Sequence, residues 1–191
     1  MLPSRSEAEK LLCDGELEFP GTWVSHSRVT ARAAEIIASR SGSLDSEKAY
    51  ILGLLHDIGR SFGKSEMRHI YDGYRYMLSL GYGEVARVCL THSFNCQRLD
   101  DYVGACDITS QEKKELLEAL LKIEFDDYDR LIQLCDGLAE KIGVIRLEER
   151  AEGICLRYGS YPKGKLEKNL ELKAYFEKMT GEDLYSLLNI R

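Results

Sequence analysis

The run Ala49-Tyr50-Ile51-Leu52-Gly53-Leu54-Leu55-His56-Asp57-Ile58-Gly59-Arg60 constrains the fold more than any other stretch. Leu44 and Asp45 before it read as an apolar N′ residue and an N-cap. A helix of roughly 12 to 14 residues is expected to follow and to end near Gly59. Apolar side chains at Ala49, Ile51, Leu52, Leu54, Leu55 and Ile58 wrap most of the way around such a helix, so other elements must enclose it. An ionised Asp57 at the end of an enclosed helix then requires hydrogen-bond donors, a counter-charge or a metal.

The rest of the chain supplies that enclosure as further helices. Apolar residues at helical spacing predict helices over residues 6–17, 25–40, 66–80, 84–92, 110–122, 146–156 and 166–179, and a short one near Leu184. Residues 131–139 form another apolar run that carries one acid, Asp136. Residues 19–24 read as a turn clamped by Trp23, and Ser65 as the cap of the helix over 66–80. In the helix over 110–122, Leu116, Leu117, Leu120 and Leu121 are expected to face inward. Residues 95–109 read as irregular, 158–165 as a Gly/Pro-bearing loop with two lysines, and the acidic run 124–129 as solvated surface or helix capping. The β-branched residues lie inside helical periods and not in alternation. The expected fold is therefore all-α, with roughly eight helices.

Charge and cysteine usage exclude several classes. The balance of 26 Lys and Arg against 32 Asp and Glu leaves net −6, which disfavours a partner as anionic as long nucleic acid. No apolar run approaches the roughly 18 to 20 residues that cross a bilayer, and the start lacks the apolar core of a signal peptide. The expectation is a cytoplasmic protein without a membrane partner. None of the six cysteines forms a C-x-x-C pair, so neither a zinc knuckle nor a dithiol redox centre is indicated. They are expected to be reduced and mostly packed, with Cys89 and Cys135 close to polar residues of interest.

The chain has four histidines, His26, His56, His69 and His92, each expected on the apolar face or end of a separate helix. A lone histidine so placed is ordinarily a satisfied core residue. Four of them, with Asp57 and Asp136 in two hydrophobic runs, read better as a metal-binding set. Neighbouring helical residues point about 100° apart, so His56 and Asp57 can approach one metal from two directions, or Asp57 can lean between two. Imidazole and carboxylate donors suit Fe, Mn, Co, Ni or Zn, and the lack of thiolates argues against a purely structural zinc site.

The order His26, then His56-Asp57 within Leu54-Leu55-His56-Asp57-Ile58-Gly59, then Asp136, resembles the HD-domain superfamily of metal-dependent phosphohydrolases. His69 and His92 resemble the additional ligands of its two-metal subset. The resemblance implies one HD-domain helical bundle over residues 1–191, with a metal-site core at 26–136 and C-terminal helices 146–191 packed on it. It implies a first metal held by His26, His56, Asp57 and Asp136, with Asp57 bridging to a second held by His69 and His92. Two divalent ions are implied, Fe or Mn first, with Co, Ni, Zn or Mg as alternatives. The implied reaction is hydrolysis of a small phosphate ester, a nucleotide or dinucleotide, by a metal-activated hydroxide. Arg60 and Lys64, just after the doublet, are expected to receive phosphate charge as catalytic residues. Tyr102, Tyr158 and Tyr161 are candidates for stacking on a base, while Arg130, Arg146 and Arg150, flanking Asp136, read first as surface charges, with neutralisation of a second phosphate as the alternative.

The bacterial family of symmetrical diadenosine tetraphosphate hydrolases is similar in length and in the order of the six ligand types. This chain departs from it at Cys135-Asp136-Gly137-Leu138-Ala139-Glu140, where that family has an alanine-aspartate followed by isoleucine-glutamate-proline. Two other classes share the pattern: a mixed-valence di-iron oxygenase, and a nucleotide-sensing module without turnover. Gly73-Tyr74-Arg75 is not the Gly-Tyr-Pro motif of the cyclic-dinucleotide phosphodiesterases. The sequence leaves the oligomeric state open.

Overall fold

Asp45 begins the central helix as expected, its carboxylate accepting the backbone N–H groups of Glu47 and Lys48 at 2.8 and 3.1 Å. The computed structural model describes residues 1–190. In chain order these form α1 (Arg5–Glu18), α2 (Thr22–Ser41), α3 (Ser46–Leu55), a 3₁₀ turn (Ile58–Phe62), α4 (Arg68–Ser79) and α5 (Gly83–Thr91). A second 3₁₀ turn (Leu99–Asp101), α6 (Ser110–Leu120), α7 (Asp127–Leu138), β1 (Ala139–Glu140) and β2 (Gly143–Val144) follow. The chain ends with α8 (Leu147–Tyr158), α9 (Lys163–Thr180) and α10 (Leu184–Leu187). The described residues are all-α apart from one antiparallel pair, Ala139 with Val144 and Glu140 with Gly143. Strands of two residues are too short to show alternation, which is why the sequence pattern missed them. The ten α-helices exceed the roughly eight expected.

Every residue of α3 from Ala49 to Leu55 is buried, with α1, α2, α5 and α7 packed around it. The core around α3 runs continuously from Ala8 to Leu188 and takes in Leu172 and Phe176 of α9. A second cluster, built on Ile70, Leu90, Phe94, Leu116 and Leu120, fastens α6 to α4 and α5.

Several expectations are corrected. The central α-helix stops at Leu55, with His56 as its C-cap, and Asp57 leaves helical geometry at φ −104° before the 3₁₀ turn begins. Gly59 in that turn lies against the backbone of α4 at His69 and Gly73, an approach that a continued α-helix would not make. Ser65 does not cap α4. Asp107, from the irregular segment, accepts the backbone N–H groups of Glu66 and Arg68 at 2.8 and 2.7 Å. On α6 only the stripe of Leu116 and Leu120 is covered; Leu117 and Leu121 are 37% and 63% exposed, because α6 lies at the edge of the bundle.

In the acidic run, Asp126 caps α7, but Asp129 is fully buried, receiving Arg87 Nε at 2.9 Å and the Thr91 hydroxyl at 2.8 Å. That ion pair locks α5 to α7. Trp23 does clamp the first turn, its Nε1 donating to Phe19 O at 2.9 Å, although α2 starts earlier than expected. The loop after α8 is also shorter than expected, and Lys163 and Lys165 lie in the first turn of α9. The cysteines are all free, but Cys13, Cys106 and Cys155 are exposed, against the expectation that most are packed; Cys89 and Cys135 are buried. Among the described residues no helix is long and apolar enough to cross a membrane.

Candidate metal centre

The helix packing brings six polar side chains, each at or near a helix end, to one place. His26 comes from the second turn of α2, His56 from the cap of α3 and Asp57 from the residue after it. His69 stands in the first turn of α4, His92 caps α5 and Asp136 lies in the last turn of α7. His26, Asp57, His69, His92 and Asp136 line a cavity of about 530 Å³, and His56, with no side-chain exposure, completes the set. Ring centroids of His26 and His56 are 5.3 Å apart, those of His56 and His92 5.0 Å, and those of His69 and His92 5.5 Å.

Backbone carbonyls fix three of the rings. His56 Nδ1 donates to Gly53 O at 2.7 Å, His92 Nδ1 to Cys89 O at 2.9 Å, and His69 Nδ1 to Glu66 O. With Nδ1–H so engaged, each ring in its neutral form turns an Nε2 lone pair inward. Burial, with the charge of His56 adding to it, pushes the His92 imidazole down to about 3, so it is neutral at pH 7. His69 Nε2 and His92 Nε2 lie 3.4 Å apart, both near Asp57 Oδ1, at 3.1 and 3.6 Å. On the other side, Asp136 Oδ1 is 2.9 Å from His26 Nε2 and 3.7 Å from His56 Nε2.

This donor set fits divalent cations. His56 Nε2 and Asp57 Oδ1 are buried without a hydrogen-bond partner, a costly state that a cation would relieve. The donors fall into two groups of metal-binding size, His26 with His56 and Asp57, and Asp57 with His69 and His92. Asp57 belongs to both. Burial opposes ionisation of Asp57, but Arg60, His69 and His56 outweigh it and hold the carboxyl well below its ordinary range. Asp136 behaves alike: burial raises its pKa, and His26 and His56 lower it further than that. Burial likewise opposes charge on His56, yet Asp57 and Asp136 raise its pKa on balance.

The two cations expected beside the doublet part company. Arg60 lines the cavity, and its Nε donates to Asp57 Oδ2 at 2.7 Å while its terminal nitrogens reach Ser65 O and His69 Nε2 at 3.3 and 3.4 Å. Lys64 is exposed and does not line the cavity, because the 3₁₀ turn carries it outward; its position does not support the expected phosphate contact. Two cations that the sequence pattern did not single out, Arg157 and Lys165, line the cavity from α8 and α9, with Tyr161, a stacking candidate, from the loop between them. Tyr102, Tyr158 and Arg150 line the cavity as well, Arg150 paired with Glu140.

Residues 23–141 match the family described as HD domain. That span includes all six converging residues and Arg60, and stops short of α8 and α9. No curated protein and no solved structure matches the chain.

Proposed function

Because the chain belongs to the HD-domain family, whose members are generally metal-dependent hydrolases, we propose that it is a phosphohydrolase acting on a small phosphate ester, a nucleotide or dinucleotide. The observation that carries this reading is the shared Asp57, common to two donor groups, with one oxygen buried and unpartnered. In the proposal His26, His56, Asp57 and Asp136 hold one divalent cation, and Asp57, His69 and His92 hold a second, with Fe or Mn as the leading identities. When bound, such a pair supplies Lewis acidity toward phosphoryl oxygens and activates water at neutral pH.

The chain's own residues prepare that chemistry. Arg60 holds Asp57 Oδ2 and so leaves Oδ1 turned toward His69 and His92. Its remaining N–H groups border the cavity, where a phosphoryl oxygen can accept from them. The Nδ1 contacts of His56, His69 and His92 keep each lone pair aimed inward without a conformational search. Among the described residues the continuous core fits one domain over residues 1–190, in which the C-terminal helices close the cavity.

The test is a panel of nucleotides and dinucleotides offered to the protein loaded in turn with Mn, Fe, Co and Ni. Release of a phosphate-bearing product, abolished in Asp57→Ala, supports the reading. No product with any metal contradicts it, and oxygen consumption without product assigns the same side chains to the oxygenase class.

A further inference from the structure

Part of the cavity wall is built outside the matched residues 23–141, by α8, α9 and the loop between them. Lys165, in the first turn of α9, turns its ammonium into the cavity and donates to Ser93 O, next to His92, at 2.8 Å. An ammonium has three N–H groups, of which one is engaged here, and Lys165 forms no ion pair within 4.0 Å among the described residues, so two donors remain for a ligand. Burial lowers the Lys165 pKa, the penalty of a desolvated cation, and Asp136 opposes that fall.

Tyr161 lines the same cavity with its hydroxyl oriented. Asn169 Nδ2 donates to the Tyr161 oxygen at 3.3 Å, and Asn169 Oδ1 accepts Asn95 Nδ2 at 2.7 Å. Asn95 Nδ2 also donates to Lys165 O at 3.1 Å. This relay orients the two amide NH₂ groups and leaves the Tyr161 hydroxyl its own proton to donate. Gly137 gives the relay room: a Cβ there would lie 3.0 Å from Asn169 Nδ2, so a side chain beside Asp136 would make Asn169 give by a few tenths of an ångström. Arg157, exposed at the cavity rim and without an ion pair among the described residues, extends the positive side outward.

We infer that Lys165 and Tyr161 form a subsite for a second, uncleaved phosphoryl group, so that the substrate carries a chain of two or more phosphates and is not a simple monoester. The inference rests on the phosphohydrolase reading for the place of the cleaved group. Recognition of the second group is thereby assigned to the C-terminal helices.

The experiment is calorimetric titration of the Mn-saturated protein with methylenediphosphonate, whose bridge resists hydrolysis, and with methylphosphonate, which has one anionic group. Lys165→Met is expected to weaken diphosphonate binding roughly tenfold and Tyr161→Phe about threefold, while methylphosphonate binding stays within about twofold of wild type. Tyr161→Phe removes one oxygen only and keeps the test standing if Lys165→Met does not fold. Equal losses for both probes, or no loss for either, overturn the inference. Because binding is read without turnover, diphosphonate affinity that depends on Lys165 in a protein that hydrolyses no nucleotide would overturn the hydrolase reading alone. Hydrolysis of a nucleotide with KM unchanged in both variants would overturn the subsite alone.

Discussion

Gly59→Ala tests how the fold sets the spacing of the candidate second metal position. A Cβ at residue 59 would lie 2.5 Å from Gly73 N and 2.9 Å from the His69 carbonyl carbon, and closer still to the His69 oxygen. All of these are backbone atoms, so no rotamer change relieves the contact. To bring even the amide nitrogen to 3.0 Å, α4 must retreat by about 0.5 Å, whereas ligand distances in a metal site are held to about ±0.2 Å. That retreat carries His69 away from Asp57 Oδ1, now 3.1 Å from it. We expect a stability loss of about 3 kcal/mol, the upper part of the overpacking range. For a chain of this size that is a fall in Tm of about 6–12 °C. The variant should also lose roughly half of its bound metal. Gly83→Ala, where a Cβ meets nothing within 4 Å, is the control and should stay within about 0.5 kcal/mol of wild type. Differential scanning calorimetry and elemental analysis read both quantities. A Gly59→Ala protein with wild-type Tm and wild-type metal content would refute the reasoning.

Two further predictions concern the frame. Arg87→Ala leaves the buried Asp129 carboxylate with Thr91 but without its counter-charge, and should cost about 3 kcal/mol in urea unfolding, part of it recovered in the double variant with Asp129→Asn; additive losses would contradict the pairing. Arg68, with the Thr109 donors, lowers the Glu112 carboxyl to about 2. A carboxyl depressed in the folded state stabilises it above its ordinary pKa and loses that contribution as the pH falls toward the folded value. The stability gap between wild type and Glu112→Gln should therefore be largest near neutrality and shrink between about pH 4.5 and about pH 2, modestly and less so at high salt because the group is exposed. A gap constant across that range would rule the linkage out.

The convergence of the six polar residues is legible in the sequence because a histidine or aspartate in an apolar helical run has few places to go. His26, His56, His69 and His92 sit at or near helix ends, and packing α2 and α5 around α3, with α4 on α5 and the first 3₁₀ turn, brings those ends together. Periodicity carries less far where tertiary contacts decide. Apolar spacing continues through Ile58, so a helix to Gly59 is the natural reading, yet the close approach of Gly59 to α4 ends it early and re-aims Asp57. Lys64 follows Arg60 closely in sequence, but direction along a 3₁₀ turn is not set by proximity, and the two side chains diverge. Asp129 is one acid in an acidic run, marked out by Arg87 and Thr91, both on another helix. Lys165 lies in Lys163-Gly164-Lys165-Leu166-Glu167-Lys168, where charge at most positions conceals which one turns inward. Only the tertiary contact of its ammonium with Ser93 O, next to His92, singles it out.

The central claim is that the side chains of α2 to α5 and α7 hold two cations bridged by Asp57. The measurement that tests it most directly is the number of metal ions per chain in protein purified anaerobically, compared with His69→Ala and His92→Ala prepared alongside. The account predicts two ions in wild type and a fall toward one in each variant, with the folded structure retained by circular dichroism. One ion per chain, unchanged in both variants even after saturation with Mn or Fe, would contradict it and return His69 and His92 to supporting a single metal.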